Sequence, residues 1–270
     1  MFIEVYRAID DIADYLISQG VEIPDAYKRR DPKEPGRTEK EMFEDKLARL
    51  VKKRFNTQKG IIAESLRWSL PKKSVDDWMD RIPELGDPNT EKQIFTLFVG
   101  AMAHGTQLFG ESIGFDLDWE LVNTAASKMA QEYMTEWLAG LDEVTRKRLR
   151  QELVNFVEIQ GYTLGDVIGG LEETVLGSAR AQRVAVTEIT RVYGMAEQLA
   201  AEQLQSEFPD VKVIKTWFTN NDDLVCVICE PLNGMTVLAN EMFMDDFGDV
   251  YDFPPAHVNC RCWMSSRTKI

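Results

Sequence analysis

Histidine occurs only twice in the 270 residues, and no cysteine precedes position 226. Thiol chemistry is thereby excluded from the first four fifths of the chain, and imidazole chemistry there is confined to His104, which has no ligand neighbours in sequence. Long hydrophobic runs are also missing. No segment approaches the roughly 20 apolar residues needed to cross a bilayer. The first residues, MFIEVYRAIDDIADYLISQG, are acidic and amphipathic, unlike the basic-then-apolar pattern of a secretory signal. A cytoplasmic origin is expected, which disfavours structural disulfides. Basic residues are in deficit, 31 against 45 acidic, for a net charge of -14. That balance argues against general coating of nucleic acid, which depends on neutralising phosphates. The local basic clusters, Arg146, Lys147, Arg148 and Arg150 near an expected helix start and Arg261, Arg267 and Lys269 near the end, read as solvated faces. Familiar catalytic patterns are absent as well: no Gly-rich phosphate loop, no Gly-x-Ser-x-Gly elbow and no His-Glu-x-x-His helix.

What the chain does have is helical periodicity up to about residue 205. Residues 2–19 carry Ile9, Ile12, Ala13, Leu16 and Ile17 at helical spacing and stop at Gly20. A Pro- and Gly-rich arm covers 21–37. Thr38 with Glu41, and Thr90 with Gln93, have capping-box spacing; the first opens a helix to about Phe55, the second the apolar stretch IFTLFVGAMAHGTQLF. Another helix is expected from about Gly60 to Leu70, and Ser74 caps a short one around Trp78. Residues 118–138 and 142–160 predict two helices packed as a hairpin, with Gly140 and Gly161 as punctuation. Thr163 with Asp166 begins a shorter helix. From Ser178 the stripe Ala181, Ala185, Ile189, Val192, Ala196 and Leu199 predicts a regular helix whose apolar side the rest of the body covers.

At Phe208-Pro209-Asp210 the pattern changes. Residues 211–219 alternate β-branched and aromatic side chains, and 235–238 and 260–265 are further strand candidates. The fold class is therefore α+β: a mainly helical body (1–110 and 111–205) and a small C-terminal β-containing module (206–270). About 60 residues bury too little surface to hold shape alone, so the module needs a staple or a surface to dock on. All four cysteines and His257 fall within it, as Cys226-x-x-Cys229 and His257-x-x-Cys260-x-Cys262. Thiolate and imidazole suit zinc, and two close pairs joined by a loop can surround one tetrahedral ion. Cys226, Cys229, His257 and Cys260 are the preferred ligands, with Cys262 as the alternative. Buried reduced thiols and a late-forming disulfide are the competing readings. A catalytic zinc would keep three protein ligands and a water, with Asp222, Asp223 or Glu230 as base.

The strings WFTNNDDLVCVICEPLNG and PPAHVNCRC, containing Trp217, Asp222, Cys226, Cys229, Gly234, His257, Cys260, Arg261 and Cys262, resemble the C-terminal signature of the phage Mu F-type minor head proteins. Upstream, RVAVTEITR, with Thr187 and Glu188, is similar to that family's helical Thr-Glu segment. The resemblance covers about residues 140–265. It implies a minor capsid protein of head morphogenesis that binds the portal during procapsid assembly, in contact with scaffold or major capsid protein and travelling with packaged DNA. Its implied location is the virion, in the head interior or portal region, after assembly in the host cytoplasm. The lack of an apolar span leads us to expect no membrane partner, and the lack of catalytic patterns leads us to expect no enzyme; a metal-dependent hydrolase or nuclease of head maturation or DNA entry is the alternative. In this scheme Trp217 packs on the cysteines, and Arg261 pairs with Asp222 or Asp223. Some relatives carry added toxin domains, which are not expected in a chain whose motif ends so near Ile270.

Overall fold

The computed structural model describes residues 33–67, 74–114, 119–220, 222 and 225–269; the helix expected over 2–19 and most of the arm over 21–37 lie outside them. Helix α1 (Arg37–Arg67) follows Gly36, whose φ of +62° only glycine adopts cheaply, and whose missing Cβ leaves room for Leu108 and His104. Its inward stripe, Leu47, Val51, Phe55, Ile62 and Leu66, keeps helical spacing straight through Gly60. Two helices were expected here, divided before Gly60 and opened by a Thr38 capping box. One interior glycine costs only about 1 kcal/mol, too little to interrupt a stripe buried on both sides of it.

Helix α2 (Val75–Met79) is capped as predicted, with Ser74 and Asp77 in a reciprocal capping box. Helix α3 (Pro88–Ile113) starts earlier than the expected Thr90 cap. Asp87 is the N-cap and accepts the Thr90 N–H at 3.1 Å, Pro88 takes the first turn, and Glu91 accepts the Asp87 N–H at 2.9 Å. The greatest departure is helix α4 (Trp119–Glu158), one element of 40 residues where a hairpin was expected. Gly140 lies inside it, with open space where a Cβ would be, and nothing nearby supplies the proline or left-handed residue that ends a helix. The basic cluster therefore sits mid-helix. There Arg148 meets Glu152 at 2.9 Å, Arg150 meets Asp76 at 2.7 Å, and Arg146 donates to the Pro83 carbonyl at 2.7 Å. Helix α5 (Leu164–Thr174) carries the predicted Thr163–Asp166 capping box.

Helix α6 (Ser178–Glu207) is the centre of the molecule. The predicted stripe is buried from Ala181 to Ala196, but so are Val186, Thr187, Thr190, Tyr193 and Met195 on other sides. One side of α6 packs on α1 and α3, where Gly105 lets the backbones approach so closely that a Cβ there would lie 2.9 Å from that of Ala196. Another side receives the C-terminal module. Gly194 is the contact point, because a Cβ on it would stand 2.6 Å from the Phe253 ring and 2.8 Å from the Pro254 carbonyl oxygen.

The module is built on β1 (Lys212–Phe218), the middle strand of an antiparallel sheet ordered β2 (Thr236–Leu238), β1, β5 (Trp263–Lys269), with Ile214 opposite Leu238 on one side and Arg267 on the other. Val213, Lys215 and Trp217 alternate inward as the sequence pattern requires. A hairpin of β3 (Phe243–Met244) and β4 (Val250–Tyr251) completes it. The last strand begins at Trp263 rather than Cys260, so both terminal cysteines sit in the loop that enters it. Trp217, Leu232, Phe243, Met264 and three cysteines form the module's own small core, and Phe253 packs against both this core and the helical one.

Candidate metal centre

Two turns bring the sulfur and imidazole groups together. In the first, the Cys229 and Glu230 N–H groups both donate to the Cys226 carbonyl at 3.0 Å, and a short 3₁₀ turn (Glu230–Leu232) follows. This coil points both thiols to one side. In the second, the Cys260 N–H donates to the His257 carbonyl at 3.2 Å, and Asn259 takes a left-handed φ of +59°, a conformation asparagine tolerates well. The His257 Nδ1–H donates to the Val258 carbonyl at 2.8 Å, which fixes the ring and turns Nε2 toward the thiols.

Nε2 of His257 lies 3.0 Å from Cys226 Sγ and 3.1 Å from Cys229 Sγ, and Cys229 Sγ lies 3.7 Å from Cys260 Sγ. The donors fall into two groups, each within 4.8 Å: Cys226, Cys229 and His257, and Cys229, Cys260 and Cys262. Cys229 belongs to both. Two thiolates each about 2.3 Å from a tetrahedral ion stand about 3.8 Å apart, and a thiolate and an imidazole nitrogen about 3.5 Å. The sulfur pair already has that separation, while the imidazole would retreat by a few tenths of an ångström. The cluster can hold a metal ion. All four cysteines are free thiols in this structure.

The electrostatics suit the same purpose. A hydrogen bond from Cys229, outweighing partial burial and assisted by His257, holds the Cys226 thiol down at about 4. Burial alone would lower His257, but its bond to Cys226 and the charge of Cys260 lift it to about 9. Cys229 is raised by hydrogen bonding with the neighbouring thiols Cys226, Cys260 and Cys262, and by burial. For Cys260 burial is the largest influence and opposes ionisation, yet bonds from Cys229 and Cys262 leave it well below its ordinary value. Ionised sulfur is therefore stabilised at two of the positions, which is the form a metal requires, while the proton that the same thiolates hold on His257 would have to leave for Nε2 to become a ligand.

The supporting residues are placed as follows. Trp217 is fully buried against the cysteines and packs edge-on to Phe243 at 5.2 Å. Arg261 grips Asp222 through two bonds, 2.8 and 3.0 Å, and Asn220 donates to the same carboxylate at 2.8 Å. The expected pairing with Asp222 is present; Asp223 lies outside the described residues. Gly234, with φ of +78°, closes the turn back to β1 by donating to the Trp217 carbonyl at 2.8 Å. Thr187 accepts the Asn259 N–H at 2.7 Å, and Glu188 accepts a short bond from the Tyr133 hydroxyl. Glu230 is exposed.

Three residues escaped the sequence reading. Thr190 donates to the Cys260 carbonyl at 3.3 Å; its position one turn after Thr187 was the available signal. Asn259 supplies the left-handed turn. Lys215, on the inward face of β1, is buried with its ammonium on the Asp252 carbonyl at 2.8 Å and Gln198 at 3.2 Å, tying the module to α6. No pattern marks such a lysine in advance.

Residues 147–265 match the family described as Phage Mu protein F like protein. Over that span, a little under half of the chain, the sequence is similar to that family. Comparison with curated proteins and with solved structures gives no match. The Mu F-like span begins within α4 and ends in β5, so it takes in α6, the docked module and every one of the five donors. The match suggests a phage head morphogenesis protein. No helix among the described residues is long and apolar enough to cross a membrane.

Proposed function

We propose that this chain is a minor head protein that acts in procapsid assembly by binding the portal, with zinc stapling together the two loops of its C-terminal module. The family match over residues 147–265 carries the head-assembly part of this reading. The zinc part rests on the donor set. Five thiol and imidazole groups crowd one small core, more than the three protein ligands of a catalytic zinc, and a full shell leaves no position for water. Cys226, Cys229, His257 and Cys260 would hold the ion, with Cys262 as substitute. The ion would supply cross-linking between two loops about 30 residues apart in a module with little core.

A structural role fits the surroundings of the cluster. The space beside Cys262, between Trp263, Glu197 and Gly194, amounts to about 10 Å³, room for one water at most. A larger groove of about 480 Å³ lies elsewhere, lined by Arg49, Lys52, Lys53 and Ser178, with no cysteine or histidine. The acidic character of the chain favours protein partners over DNA as the first contact, and association with packaged DNA would follow from the particle's assembly.

The test is co-assembly of the purified full chain with its cognate portal, read by co-sedimentation. Binding at near-stoichiometric level to intact portal rings is expected. Failure to bind intact rings overturns the portal reading. Metal analysis of the same preparation should give close to one zinc per chain, and hydrolysis of a phosphodiester or peptide substrate lost on His257→Ala would instead revive the enzyme reading.

A further inference from the structure

The β3–β4 hairpin turns apolar side chains into solvent. Met244 and Val250 are opposite each other in the ladder and are 56% and 54% exposed, Met242 is 52% exposed, and Phe247 at the tip is 68% exposed. The alternate position, Phe243, is fully buried against Trp217. So the hairpin has one face in the module's core and one apolar face outside it.

The tip is held rigidly in that state. One oxygen of the buried Asp245 carboxylate accepts the N–H groups of Phe247 and Asp249, at 2.9 and 3.0 Å, and the other accepts the Tyr251 hydroxyl at 3.0 Å. Its own N–H donates to the Asp249 carbonyl at 3.0 Å, and Gly248 supplies a φ of +87°. Phe247 is therefore displayed on an ordered turn instead of folding back, and little conformational freedom is left to lose on binding.

Charge decides what can bind. Residues 239–252, ANEMFMDDFGDVYD, hold five acidic side chains and no basic one, and Glu241, Asp246 and Asp249 are exposed around the apolar face. Phosphate backbones and anionic lipid surfaces are repelled, as is the identical face of a second copy. An apolar anchor inside an acidic rim fits its complement, an apolar pocket rimmed by Lys and Arg. We infer that this hairpin docks into such a pocket on another protein of the assembling head, with Phe247 and Met244 as the buried anchors. The inference rests on the head-assembly reading, and assigns the contact to a particular surface.

The experiment places a photo-crosslinking benzoylphenylalanine at position 247 of the full chain, and separately at the exposed Glu132 of α4, during head assembly. Irradiated heads are then analysed by mass spectrometry. The expected product joins position 247 to a Lys- or Arg-flanked apolar segment of a different head protein, and Phe247→Asp should lower incorporation of the chain into heads by about tenfold while its melting temperature and metal content stay unchanged. A cross-link to a second copy or to DNA, no cross-link from 247 in heads that contain the chain, or normal incorporation of F247D overturns the hairpin assignment alone. Absence of the wild-type chain from heads overturns the head-assembly reading and this assignment together.

Discussion

The Thr187 hydroxyl on α6 accepts the backbone N–H of Asn259 at 2.7 Å, across 72 residues of sequence, and itself donates to the Arg183 carbonyl at 2.8 Å. That bond fixes the turn between His257 and Cys260 to the helix, so the second pair of donors is held by α6 rather than by the module alone. Removing the acceptor leaves a part-buried N–H without its partner, which costs up to about 1–3 kcal/mol. Thr187→Val, which preserves shape, should therefore lower stability by about that amount in urea unfolding and weaken zinc binding. An unchanged unfolding midpoint would show that the turn holds itself.

Cys229 is the only donor common to both groups of the cluster. Its replacement opens both, whereas loss of Cys262 leaves Cys226, Cys229, His257 and Cys260 in place. Cys229→Ser should abolish tetrahedral cobalt absorption and cost about 3 kcal/mol or more in stability, while Cys262→Ser should keep the cobalt spectrum with a small loss of affinity. The opposite ranking would move Cys262 into the ligand set. Treatment with a strong chelator should lower the melting temperature of the wild type and have little effect on Cys229→Ser.

Much of this arrangement was legible in the residues. The Cys-x-x-Cys and His-x-x-Cys pairs converge because each spacer is one tight turn, and turn geometry is local. The strand alternation around Trp217 was equally plain. Helix boundaries were not, because Gly60 and Gly140 look like stops when read locally. Both helices continue through them on the strength of packing against α6 and its neighbours, which is tertiary information. The docking of the module on α6 depends on Gly194 and Lys215, which carry no local signature, and on Thr190, whose one signal was its place a turn after Thr187 in the Thr187–Glu188 segment.

The close approach at Gly194 gives a sharp contrast with Gly140. Adding a methyl group at Gly194 pushes against the Phe253 ring and the Pro254 backbone, where the gap is under 3 Å, and overpacking of this kind costs about 1–3 kcal/mol. At Gly140 the space is open, so alanine should stabilise α4 by about 0.5–1 kcal/mol. Gly194→Ala should lower the unfolding midpoint and make residues 253–262 more accessible to hydrogen exchange; Gly140→Ala should raise the midpoint. Equal effects would mean that the module does not press on α6.

Glu197 lies at the same seam, buried among Lys40 of α1, Ser266 of β5 and Glu34. Burial dominates over the attraction of Lys40 and the Ser266 hydrogen bond, and lifts its carboxyl to about 8. The sign follows from proton counting. The folded chain binds this proton more tightly than the unfolded chain does, so the contribution is fully present below an ordinary carboxyl value of about 4.5 and is lost as pH rises through about 8. Wild-type stability should fall by on the order of 1–3 kcal/mol between about pH 5 and pH 8 from this group. Glu197→Gln, neutral throughout, should remove that slope and be the more stable of the two at the upper pH. Parallel curves for the two proteins, measured by urea unfolding across the range, would mean that Glu197 is ionised in the fold and that Lys40 rather than burial governs it.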